Sequence, residues 1–96
     1  MTKLVKIVRS KKPAKKYDAY FITDKNRSKV VSFGAAGMKD YTKHKDKSRQ
    51  ERYIKRHKKN EHWNSPMTPG ALSRYVLWSS PSLKQGISNY KRKFRL

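Results

Sequence analysis

Positive charge accompanies the apolar positions along the whole chain, and this limits what it can fold into more than any other feature. Residues 1–34 hold ten basic and two acidic side chains, residues 35–65 ten and four, and residues 66–96 six and none. The segments therefore carry +8, +6 and +6, which is not the pattern of a charged tail beside a neutral domain. Self-repulsion at a net +20 opposes compaction of the isolated chain. Apolar residues make up only 34% of the sequence, against roughly 45–50% in ordinary globular domains when glycine is counted. The 96 residues suffice for one small domain with a small core and a basic exterior. A partner bearing negative charge is the first functional inference. An independent enzyme is disfavoured.

The chain has no cysteine, so disulfides and thiolate metal sites are excluded. No apolar run approaches the roughly 18–20 residues of a membrane-spanning helix. The opening residues Thr2–Arg9 alternate apolar and charged side chains, unlike a secretory leader or an amphipathic transit peptide, so the chain is expected to stay intracellular.

The expected fold class is α+β: a small N-terminal antiparallel β-meander followed by two or three helices, in a single domain spanning residues 1–96. Residues 1–34 form the strand-rich part. Leu4–Val8, Tyr17–Thr23 and Lys29–Phe33 read as strands, with Tyr17, Ala19 and Phe21 on one face and Asp18, Tyr20 and Ile22 on the other. Short connections, one broken by Pro13 and one by the polar segment Asp24–Ser28, favour antiparallel pairing, and Gly34 and Gly37 end the sheet. Residues 35–67 read as a basic loop and helix, capped by Asp46 and running from about Lys47 to about Lys59. Its apolar content is essentially Tyr53 and Ile54, so it is either exposed or docked on a partner. Residues 68–96 read as two capped helices. Thr68-Pro69 opens one with Leu72, Tyr75 and Val76 at helical spacing, and Ser80-Pro81 repeats the device before the stripe Leu83, Ile87, Tyr90, Phe94.

No catalytic centre is expected. The six acids are Asp18, Asp24, Asp40, Asp46, Glu51 and Glu61, and no two have a spacing that forces carboxylates together. His44, His57 and His62 are too irregularly placed for a helix-borne ligand pair, and they read as solvated histidines in a basic segment. The string His57–His62 shares its composition with small metal-dependent nucleases but not their hairpin-and-helix context. Gly34-Ala35-Ala36-Gly37 lacks the frame of a phosphate-binding loop and reads as a turn leaving the sheet. Neither a cofactor, nor a metal, nor a small-molecule substrate is expected.

The residues expected to meet an acidic partner or phosphate are Lys11, Lys12, Lys15, Lys16, Lys55, Arg56, Lys58, Lys59, Lys91, Arg92, Lys93 and Arg95. Eleven aromatic residues are available, and a core this small consumes most of them, so base stacking is not the main expectation. Trp63, Leu72, Tyr75, Trp78, Leu83, Ile87, Tyr90 and Phe94 are expected in packing or an interface, with the two tryptophans clamping the helices.

From residue 17 onward, the ordered strings Asp40–Asp46, Arg52–His57, Trp63-Asn64, Pro66 and Thr68–Trp78 resemble small basic proteins encoded by nucleocytoplasmic large DNA viruses, including algal and amoebal giant viruses. That family brings no catalytic residues. The resemblance implies a virion location and viral partners. The first expectation is a minor structural, cement-like protein lying against capsid proteins and the internal membrane. The alternative is a sequence-nonspecific nucleic-acid-binding protein that packages or condenses viral DNA.

Overall fold

The computed structural model describes residues 2–59 and 63–96. Alternating apolar residues build β1 (Lys3–Arg9), β2 (Lys15–Ile22) and β3 (Ser28–Ala35), a three-stranded antiparallel sheet in the order β1-β2-β3. The pairings Ala19 with Val31 and Tyr17 with Phe33 put matching residues on the inward face, where Ala19, Phe21, Val31 and Phe33 are buried. A bulge between Leu4 and Lys6 resets the phase of β1, so Leu4 and Ile7 both pack on the core while Val5 is exposed. The β1–β2 connection turns at Lys12-Pro13-Ala14-Lys15, closed by the Lys15 amide donating to the Lys12 carbonyl at 3.1 Å. Proline fits the second position of such a turn because its φ is already set. Asn26, at φ 57°, makes the β2–β3 turn, a left-handed position that a short amide side chain tolerates.

The sheet does not end at Gly34. Strand β3 passes through it to Ala35 with Gly34 at φ +79°. A Cβ there would lie 2.9 Å from Leu77 Cδ1, so glycine lets β3 close on the helical layer.

The helical half holds more segments than expected: α1 (Tyr41–His44), α2 (Lys47–His57), α3 (Pro69–Leu72) and α4 (Leu83–Phe94). Asp46 caps α2 as expected, accepting from the Ser48 amide at 2.9 Å, but the helix stops at His57 rather than Lys59. Thr68 caps α3 through the Ala71 amide. The expected start of the last helix at Ser80-Pro81 is one turn element too early. Ser82 is the cap, accepting from the Gln85 amide, while the Ser80 hydroxyl accepts from the Ser82 amide and folds the chain toward the helix.

Between α3 and α4 the chain widens into a π-type turn over Ser73–Leu77, with the Trp78 amide donating to the Ser73 carbonyl at 3.1 Å. Leu72, Val76 and Leu77 from this stretch pack beneath the sheet's Ala19, Phe21, Val31 and Phe33, and Tyr90 of α4 completes the core. Burial of each such large apolar side chain contributes roughly 1.5–3 kcal/mol. The Tyr90 hydroxyl donates to the Pro66 carbonyl, and burial pushes its pKa well above the ordinary phenol value. Leu83, Ile87 and Phe94 pack partly buried against the same core, so the stripe on α4 faces this chain's own body. Helix α4 crosses closest at Gly86, where a Cβ would lie 2.0 Å from the Val76 carbonyl oxygen.

Candidate functional site

The electrostatic surface follows from where the ionisable groups sit. All but two of the 26 lysines and arginines are exposed; the exceptions, Lys16 and Arg74, are half-buried. Two carboxylates are drawn inward, whereas Asp24, Asp46 and Glu51 are exposed. Asp18 and Asp40 are 7% and 3% exposed. Asp18 lies on the outer sheet face, yet Ser32 covers it and donates to Oδ1 at 2.6 Å. Hydrogen bonds from Ser32 and Ser10, with the charge of Lys12, hold its carboxyl below the ordinary aspartate value. Asp40 caps α1 by accepting from the Thr42 amide at 2.9 Å, accepts from the Thr42 hydroxyl, and takes an ion-paired hydrogen bond from Lys16 Nζ.

Lys16 lines the same recess as Lys11, Lys12 and Lys15, but unlike them its charge is already spent. Its side chain is 14% exposed and is paired internally with Asp40. The rest of that cluster gathers more cations than the sequence indicates. Lys11, Lys12 and Lys15 line one cavity of about 330 Å³ with Arg9 of β1 and Lys43 of α1. Lys15 also reaches a second cavity, about 410 Å³, where Lys39 and Arg56 stand over buried Tyr53 and Leu77. Lys91, Arg92 and Arg95 share a groove on α4 with Lys84. Lys55, Lys58 and Lys59 are exposed at the end of α2 and just beyond it. Arg9, Lys39, Lys43 and Arg74 escape a sequence reading because each is isolated from the basic runs, and only the fold brings them beside other cations.

The aromatics behave differently from free stacking platforms. Tyr53 stacks on Trp78, with ring centroids 4.2 Å apart and planes 1° apart, and on His57 at 4.4 Å. Trp78 also meets His44 at 5.3 Å. This ladder ties α1 and α2 to the end of the π-type turn, reinforced by Gln50 Nε2 donating to the Trp78 carbonyl at 2.8 Å. Helix α2, thin in apolar residues, thus docks on its own chain. The reading of the histidines as solvated is corrected for two of them: His44 and His57 are half-buried within the ladder. The His44 Nδ1 accepts from the Asp46 amide at 2.9 Å. Glu61 and His62 lie outside the described residues. Trp63 packs against the Arg74 guanidinium, its centroid 5.4 Å away.

Among the described residues no group of three or more histidine, aspartate or glutamate side chains is placed to hold a metal ion, and no helix is long and apolar enough to cross a membrane. The site is a predominantly cationic surface with several recesses, on which Asp24, Asp46 and Glu51 are the exposed acids among the described residues.

Comparison with known proteins places this surface in a family. The chain belongs to DUF5754, a family of unknown function, whose model matches residues 5–57. That span takes in most of β1 and the β1–β2 turn, which the viral resemblance left out, and ends with α2. No curated protein and no solved structure matches the chain.

Proposed function

We propose that this member of DUF5754 binds nucleic acid through its phosphates, without regard to base sequence. The observation that carries the reading is the sorting of charge: all but two of the lysines and arginines are exposed, while Asp18 and Asp40 are spent on internal hydrogen bonds and one ion pair. Such a surface neutralises phosphates and releases counterions, and it reads no base edges. Salt titration of binding to duplexes of unrelated sequence tests this. About six phosphate contacts give a slope of log affinity against log salt near −5, equal for all sequences. Charge reversal at Lys11, Lys12 and Lys15 should weaken every duplex alike. Binding that is insensitive to salt, or confined to one sequence, overturns the proposal.

The resemblance to large-DNA-virus proteins supports a second reading, a capsid-associated cement in the virion. Its specific support is the spread of cations over both halves of the fold, which suits a protein wedged between several acidic surfaces. Crosslinking in intact particles separates the two readings. Crosslinks mainly to DNA favour the first, and crosslinks mainly to capsid subunits or lipid favour the second.

A further inference from the structure

Arg74 is the only lysine or arginine between Lys59 and Lys84, and it is held unlike any other of the chain's 26. Its guanidinium carbon lies 5.1 Å from the Tyr75 ring centroid and 5.4 Å from that of Trp63. Its Nε is buried and has no hydrogen-bond partner. Among the described residues no carboxylate forms an ion pair with it. The other half-buried cation, Lys16, has Asp40; among the described residues Arg74 has aromatic faces instead.

A cavity of about 360 Å³ opens beside it, shared with Arg92 and Lys93 of α4 and with Gln50, Ser79 and Asn89. Lys93 Nζ lies 5.8 Å from the same Tyr75 ring, so two cations flank one ring. Among the described residues no acid lines this cavity. Two of its acceptors are occupied from within: Asn89 Oδ1 accepts from Gln85 at 2.9 Å, and the Ser79 hydroxyl donates to the Tyr75 carbonyl and accepts from Asn89 Nδ2. The Asn89 amide retains a second hydrogen to donate. What the recess offers is therefore donors and positive charge. A guanidinium clamped on aromatic faces presents its planar fork in a fixed orientation, the arrangement suited to two parallel hydrogen bonds to an oxyanion.

We infer that Arg74, Arg92 and Lys93 form a discrete oxyanion site that takes one phosphate group of a bound nucleic-acid strand. The strand rests on the function proposed above; the anion site rests on Arg74 itself. Such a site adds a fixed point of register to an otherwise diffuse surface, and it lies beyond the residues matched by the family model.

The test uses the full chain and inorganic phosphate, followed through the Arg74 Nε–Hε signal by NMR. The expected result is a saturable shift of that signal. Arg74→Lys keeps the charge but loses the fork, and should weaken phosphate binding about tenfold. Arg92→Ala, an exposed change that leaves the core intact, should weaken it about threefold or more. Lys25→Ala, in the β2–β3 turn, should leave it unchanged. An unmoved Arg74 signal, or equal effects of Arg92→Ala and Lys25→Ala, overturns the site. If oligonucleotides still bind with steep salt dependence in that case, the site falls and the proposed function stands. Saturable phosphate binding at Arg74 without oligonucleotide binding keeps the site and removes the proposed function.

Discussion

The sheet half and the helical half bury one cation each, and they do so in opposite ways. Lys16 leaves β2 and meets a carboxylate, Asp40, that is itself buried, hydrogen-bonded and part of a helix cap. Arg74 leaves the start of the π-type turn and, among the described residues, meets the faces of Trp63 and Tyr75 rather than a carboxylate. The first arrangement is closed: removing either partner strands a charge. The second is open, because a delocalised, weakly hydrated guanidinium tolerates aromatic cover, and no carboxylate among the described residues pairs with it. In a chain with few acids, the place where a carboxylate is used shows what must be held together. The place where none is used shows where an outside anion fits.

The largest expected effect breaks the closed arrangement. Asp40→Ala should destabilise the protein by about 3 kcal/mol, since it removes the cap of α1 and leaves the Lys16 ammonium half-buried without a partner. Arg74→Met should cost only about 1 kcal/mol, the scale of the lost cation–π contacts, because no buried carboxylate is left behind. Urea titrations of both variants check the contrast, and equal losses would erase it.

A somewhat smaller effect tests how the open site is built. Gly86→Ala places a methyl group against the Val76 carbonyl, and the backbone must shift to admit it. A loss of about 2 kcal/mol is expected, together with weaker phosphate binding as α4 carries Arg92 and Lys93 away from Arg74. Melting and phosphate titration of the same variant read the two consequences.

The smallest effect concerns pH. The native Asp18 pKa lies below its unfolded value, so its contribution is present above about pH 4 and is lost as pH falls through the native pKa. The native Tyr90 pKa lies above its unfolded value. Its contribution is full below about pH 10 and is lost as pH rises toward the native value. Replacing Asp18 by Asn should flatten the acid limb of the stability profile only, and replacing Tyr90 by Phe the alkaline limb only.

The α+β architecture was legible because β2 sets Tyr17, Ala19 and Phe21 on one face and because Asp46 and Thr68 announce their helices by side-chain chemistry that acts within three residues. Helix α1 was not legible, since its four residues owe their turn to Asp40, and Asp40 owes its place to Lys16, 24 positions earlier. The start of α4 was misplaced because Ser80-Pro81 and Ser82 offer two competing hydroxyls, and only packing of Gly86 on Val76 selects between them. For the candidate site, the basic runs were visible in sequence, but their membership was not.

What the chain determines by itself is local: strand periodicity, caps, turns, and an excess of positive charge too large to be neutralised by six acids. Tertiary structure decided which charges are spent. It turned Lys16 inward to Asp40, stacked His57 and Trp78 on Tyr53, and set Arg74 between two rings beside Arg92 and Lys93. The physical reason is distance. Backbone propensity and capping act over a few residues, whereas ion pairing and ring contacts act across space between groups that the sequence holds far apart.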